Sequence, residues 1–177
     1  GRVIAKGPDT EQVQVGDRVL TFSSHSARAI ADVARFALPV PAQADGRLAV
    51  ATRIAGVSIT ALRTSSVQPG DRVVVIGLGL VGNFAAQMFQ LAGARVLGLD
   101  IDPQRLAIAR TCGIAEVLNA ATENPVQAVR DWSGDGSGAE IVVEASGRSE
   151  LILQAVEMTR RCGETILIGS PRARVTA

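Results

Sequence analysis

Apolar positions along this chain follow two different patterns, and the change falls near residue 46. From Arg72 onward, short unbroken apolar runs alternate with stretches of helical spacing. Val73-Val74-Val75-Ile76 is the clearest run, as expected of a strand covered on both faces of a parallel sheet. Further strands are predicted over 95–99, 116–118, 141–144 and 164–168, and helices over 81–91, 103–112, 125–132 and 150–159. A longer helix is predicted over 48–64, with Leu48, Ala51, Ala55, Ile59 and Leu62 recurring at helical spacing. Strands alternating with helices give an α/β fold, a Rossmann-type doubly wound parallel sheet.

Residues 1–45 read differently. Strands are predicted over 2–6 and 17–22, with turns at Gly7-Pro8-Asp9 and Val15-Gly16-Asp17. The alanine-rich stretch 27–36 fits a helix or an extended strand, and Pro39 and Pro41 read as a linker. This is too little chain for an independent β-barrel and reads as part of a domain.

The turn after the first strand of the alternating region is Gly77-Leu78-Gly79-Leu80-Val81-Gly82, a Gly-x-Gly-x-x-Gly motif. Gly77 permits a tight turn, Gly79 lets backbone approach a pyrophosphate, and Gly82 lets the following helix pack close to the strand. The helix start at Leu80 and Val81 offers free N–H groups and the positive end of a dipole to phosphates. The next strand ends at Asp100, 18 residues after Gly82, where a carboxylate would meet the hydroxyls of an adenosine ribose. Ile101 follows it. Asp102 precedes Pro103 and reads as a helix N-cap. An acid at Asp100 repels a 2′-phosphate and favours NAD over NADP, and Arg105 lies near enough to temper that preference. Ligands of such sheets bind beyond the carboxyl ends of the strands, which adds Ala145, Ser146 and Gly147 after one strand and Ile168, Gly169 and Ser170 after the next.

Composition narrows the picture. Of 177 residues, 47% are hydrophobic, and 18 basic against 17 acidic residues leave a net charge of +1. With charges mixed and aromatics at 3%, neither a nucleic-acid surface nor a stacking platform for single strands is expected. No run of 18 uncharged apolar residues occurs and no signal-peptide core opens the chain, so no membrane span is expected and the location expected is cytoplasmic. Cys112 and Cys162 lack metal or redox spacing and read as small buried residues. The loop Gly134-Asp135-Gly136-Ser137-Gly138 has the composition of a phosphate cradle but precedes its strand, opposite the cofactor edge, and reads as a flexible connector. Trp132 reads as a packing residue. His25 is the one histidine and the only candidate for proton transfer, and the catalytic residues are otherwise unassigned.

Val15-Gly16-Asp17-Arg18-Val19, the stretch from Gln68 to Gly82, Asp100 to Leu106, Glu140 to Gly147 and Gly163 to Gly169 together resemble the medium-chain dehydrogenase/reductase superfamily, of the zinc alcohol, sorbitol and threonine dehydrogenase type. The resemblance implies a partial GroES-like catalytic segment over 1–45 and an NAD(P)-binding domain over 46–177 lacking its last strand. It implies hydride transfer between a nicotinamide and an alcohol, aldehyde or ketone, in a homo-oligomer when the chain is whole. It also implies that the strand exits at 145–147 and 168–170 face the cofactor, the later one near the nicotinamide. The family's first zinc ligands would lie upstream of Gly1. A third would fall near Thr52-Arg53, and neither is a usual ligand, so no zinc is expected on this chain. The alternative is a non-catalytic NAD(H)-binding module, a redox sensor or an enzyme-derived structural protein.

Overall fold

The structure, a computed structural model, describes residues 1–170. The chain separates into two compact units, Gly1–Arg53 and Ile54–Ala177.

In the first unit, β1 (Val19–Thr21) pairs antiparallel with β2 (Ala37–Pro39). Between them lies α1 (Val33–Phe36), a single turn whose N-cap Asp32 accepts from the Ala34 N–H. The ambiguous stretch thus resolves into one short helical turn. Pro39 corrects the linker expectation. It ends a strand rather than breaking the chain, and the ladder bond there is made one residue later, by the Val40 N–H on the Arg18 carbonyl at 2.8 Å. The expected strand over 2–6 is reduced to one bridge between Arg2 and Arg18. The Arg18 guanidinium donates to the carbonyls of Pro41, Ala42 and Ala44 at 2.6–2.9 Å, which fixes the turn after β2. The rings of Phe22 and Phe36 lie 4.0 Å apart, and Arg53 stacks over Phe22 at 4.7 Å.

Helix α2 (Gly46–Thr64) straddles the boundary between the units, and Asp45 accepts from the Arg47 N–H at its start. The second unit then alternates: β3 (Arg72–Ile76), α3 (Leu80–Leu91), β4 (Arg95–Asp100), α4 (Pro103–Thr111), β5 (Glu116–Asn119), α5 (Pro125–Ser133), β6 (Ala139–Glu144), α6 (Leu151–Met158) and β7 (Thr159–Leu167). The five strands form one parallel sheet in the order β5-β4-β3-β6-β7. Consecutive strands run outward from β3 in both directions, so the order reverses between β3 and β6, where such folds open a crevice.

The central strand explains its own sequence. Val73 and Val75 face one apolar cluster with Phe89, Leu106 and Ile141, and Val74 and Ile76 face the other with Leu99, Val142 and Met158. Both faces are covered, so alternation would be destabilising, and each buried valine contributes about 1.5–3 kcal/mol at the upper bound. Asp102 caps α4 by accepting from the Gln104 N–H at 2.8 Å, with Pro103 in the first turn. Asn124 caps α5 by accepting from the Gln127 N–H, and Gly134, in the left-handed region, ends it.

Three expectations need correction here. β7 starts at Thr159 rather than 164: Thr159 pairs with Ala139 and Glu164 with Ile141, so β7 advances five residues while β6 advances two. The polar run Arg160-Arg161-Cys162-Gly163 is the bulge, and it hid the strand start from an apolar pattern. Both cysteines are exposed, because Cys112 is the C-cap of α4 and Cys162 sits in that bulge with φ 60°. The loop 134–138 is fastened rather than loose. Arg72 donates to Asp135 at 3.0 Å, to the Ser133 carbonyl and to Glu140 at 2.8–2.9 Å. The Glu140 carboxyl is held down to about 2, chiefly by its hydrogen bonds from Arg72.

Candidate functional site

The candidate site lies at the carboxyl end of the sheet, where β3 runs into α3. Gly77 donates to the Leu99 carbonyl at 2.7 Å and has φ 88°; a Cβ there would lie 3.0 Å from Ser146. A Cβ at Gly82 would drive into the Gly77 carbonyl oxygen. The fold itself therefore demands glycine at both places. Gly79 is different. Its φ of −62° and ψ of −173° suit any residue, and nothing lies within 4 Å of where its Cβ would be. It is the N-cap of α3, with no side-chain cap, so helix geometry leaves the amides of Leu80, Val81 and Gly82 without partners inside the helix. Leu80 is exposed, and the Val81 carbonyl accepts from the buried Ser58 hydroxyl at 2.8 Å, which ties α2 to the start of α3.

Asp100 ends β4 with its side chain only 3% exposed. One carboxylate oxygen accepts from the Leu78 N–H at 2.7 Å and the other from the Asp102 N–H at 2.9 Å. Each oxygen retains a free acceptor position. Arg105, half exposed on α4, places its guanidinium 3.6 Å from Asp100 and 3.8 Å from Asp102. Ile101 is exposed beside them. The predicted acid, its neighbour and the basic residue thus gather at one corner, against the glycine turn.

The other predicted residues gather around β6. The Ala145 N–H donates to the Ile76 carbonyl, and the N–H groups of Ile168 and Gly169 both donate to the Glu144 carbonyl, each at 2.9 Å. A Cβ at Gly147 would lie 3.1 Å from the Ser170 carbonyl oxygen, so the exits of β6 and β7 touch. At their junction sits a residue that the sequence did not single out as a site residue. Glu144 is 1% exposed, and its carboxylate accepts from the Ser146 N–H at 2.8 Å, from the Ser146 hydroxyl and from the Gly147 N–H. The available signal was an acid ending an apolar run directly before Ala-Ser-Gly. His25 lies exposed in the first unit after β1, as a surface residue does.

The strand order, the glycine turn leaving the central strand and the acid ending its neighbour define a doubly wound α/β fold of the dinucleotide-binding class. The chain belongs to the zinc-binding dehydrogenase family, whose sequence model matches residues 81–176. It is 32% identical over 157 residues to alcohol dehydrogenase-like 7 of Arabidopsis thaliana, a match covering 85% of this chain and 39% of that one. It is 31% identical over 159 residues to D-guloside 3-dehydrogenase of Shigella flexneri, covering 88% and 45%. Among solved structures, the alcohol dehydrogenase TADH from Thermus sp. ATN1 superimposes with a TM-score of 0.70 at 34% identity, covering 77% of this chain and 40% of that one. The chain therefore spans less than half the length of these relatives.

The family's description implies zinc, and the residues present do not fit it. Thr52 and Arg53 offer no zinc-binding donor, and among the described residues no three His, Cys, Asp or Glu side chains converge. A dinucleotide does fit. Open space at Gly79, unpartnered amides at the start of α3 and spare acceptor positions on Asp100 form one continuous edge. Among the described residues no helix is long and apolar enough to cross a membrane.

Proposed function

We propose that this chain carries the NAD(H)-binding part of an oxidoreductase of the medium-chain alcohol dehydrogenase type. The observation that supports it most is Gly79. Neither its backbone nor its packing asks for glycine, so the space above it is kept for something outside the protein. In this reading residues 1–45 belong to a GroES-like catalytic segment and 46–177 to the cofactor domain, in a cytoplasmic protein that forms a homo-oligomer when whole.

The amides of Leu80, Val81 and Gly82 and the dipole of α3 hold the pyrophosphate. Asp100 accepts from the adenosine ribose hydroxyls, and its charge disfavours a 2′-phosphate, an effect that Arg105 at 3.6 Å partly offsets. Ile101 offers apolar surface beside the ribose. Ala145, Ser146 and Gly147, with Ile168, Gly169 and Ser170, line the nicotinamide end, where small residues allow close approach. When bound, the nicotinamide supplies the hydride donor or acceptor for a small alcohol, aldehyde or ketone.

Calorimetric titration with NADH and NADPH tests the binding, with NADH expected to bind more tightly; no binding of either sinks the reading. Turnover of a panel of alcohols by the full-length protein then separates an enzyme from a module that only binds.

A further inference from the structure

Glu144 is a buried carboxylate with an unusual set of partners. None of the ion pairs among the described residues includes it; the neighbouring Arg148 pairs with Glu150 instead. Burying an acid without a cation is costly, and only a full set of hydrogen bonds makes it tolerable. Among the described residues Glu144 receives three donors, all from one short segment. One oxygen accepts from the Ser146 N–H, the Ser146 hydroxyl and the Gly147 N–H, and the other accepts from the Gly147 N–H at 3.3 Å.

The same residue also grips the next strand exit. Its backbone carbonyl accepts two N–H groups, from Ile168 and Gly169. A Cβ at Gly169 would collide with the Glu144 carboxylate and with the Gly147 amide, so Gly169 is glycine in order to let the carboxylate through. Glu144 therefore binds two separate turns, 145–147 and 168–170, through two different groups of one residue. A packing role would be met by an apolar side chain at lower cost. The carboxylate does something packing cannot: it dictates the direction of two successive amides and one hydroxyl.

We infer that Glu144 is a positioning residue that sets the shape of the nicotinamide end of the site, acting through Ser146, Gly147 and Gly169. This rests on the dinucleotide reading, in which the adenosine end is held by a different carboxylate, Asp100. The two ends are served by different carboxylates, so they can be perturbed separately. Gln in place of Glu144 keeps the shape but turns one acceptor into an NH2 group, which, with the amide oxygen toward Ser146, faces the Gly147 N–H.

The test compares NADH with ADP-ribose, which lacks the nicotinamide, by calorimetric titration of the full chain as wild type, Glu144→Gln and Ser146→Ala. Thermal melts without ligand accompany each. Glu144→Gln is expected to weaken NADH about tenfold, the worth of hydrogen bonds to a charged group, and to leave ADP-ribose within about twofold. Ser146→Ala removes only the hydroxyl donor and is expected to produce a smaller loss confined to NADH, which keeps the test alive if Glu144→Gln does not fold. Equal losses for both ligands, or none for either, overturn the inference while the dinucleotide reading stands. Failure of the wild type to bind both ligands removes the reading and the inference together.

Discussion

The two ends of the central sheet use acidic residues in opposite ways. At the amino end, Glu140 and Glu116 meet arginines: Arg72 and Arg160 lie at 2.8 and 3.1 Å from Glu140, and Arg95 at 2.6 Å from Glu116. Arg95 also stacks on Trp132 at 4.7 Å. At the carboxyl end, Asp100 and Glu144 are spent on backbone amides, and Arg105 at 3.6 Å from Asp100 is the nearest cation to either among the described ion pairs. Charge is neutralised where the sheet only needs fastening. It is held on N–H groups at the end where we propose that the cofactor binds. In the proposed reading stability and recognition fall to separate ends, and each should be alterable with little effect on the other.

The largest expected effect that sharpens this contrast is Gly79→Val at the carboxyl end. Valine is a poorer N-cap than glycine, but the backbone accepts it and nothing lies within 4 Å of the new Cβ, so stability should fall by no more than about 1 kcal/mol. The branched side chain would fill the space proposed for the pyrophosphate, and NADH affinity should fall at least about 100-fold, or nearly 3 kcal/mol. A fluorescence titration beside a thermal melt checks both halves. A marked drop in melting temperature would show that the fold, and not a ligand, requires this glycine.

Arg72→Met is the counterpart at the amino end. It removes the bonds to Glu140, Asp135 and the Ser133 carbonyl and leaves Glu140 mostly buried beside Arg160. Breaking such a partly buried network should cost on the order of 2–3 kcal/mol, with NADH affinity unchanged. Urea denaturation measures the first, and calorimetry the second. A loss of affinity matching the loss of stability would mean that the two ends are coupled.

A pH titration probes the same network more gently. The Glu140 carboxyl is lowered to about 2 from an ordinary 4.5, first by its hydrogen bonds from Arg72. A lowered carboxyl adds stability that is complete above its unfolded value and is lost as pH falls toward the folded one. The wild type should thus lose on the order of 2 kcal/mol between about pH 4.5 and 2 through this group, after discounting for solvent screening. The contribution should shrink in Arg72→Met, where Arg160 and the backbone N–H of residue 72 still meet the carboxylate. Parallel pH–stability curves for the two proteins would refute the assignment.

How much of this was legible without coordinates differs between the ends. The apolar runs gave β3, β4 and β6 because both faces are buried, and Asp102-Pro103 marked the start of α4 through local cap chemistry. The glycine turn and Asp100 could be read because their spacing along the chain fixes their spacing in the fold. Arg72 with Glu140 could not, since they lie 68 positions apart and meet only when β3 pairs with β6. Glu144 read as a strand end, because its partners Ser146 and Gly147 are local but its grip on Gly169 is not. β2 was hidden by Pro39, and the start of β7 by the polar residues of its bulge.

That bulge also yields the smallest effect, and it tests whether the amino end is tuned for stability alone. Cys162 holds φ 60° with its side chain exposed, the only residue other than glycine among those described with positive φ. A left-handed conformation costs a residue with a Cβ about 1–2 kcal/mol. Glycine would remove that strain but loses about 0.5–1 kcal/mol through the greater freedom of the unfolded chain. Cys162→Gly should therefore raise stability by roughly 0.5 kcal/mol, seen as a higher urea midpoint at an unchanged slope. NADH affinity should not move, because the bulge sits by Ala139 and Glu140, at the opposite end of the strands from Gly79 and Glu144. A lower midpoint would mean that the Cys162 side chain makes a contribution outweighing its backbone strain.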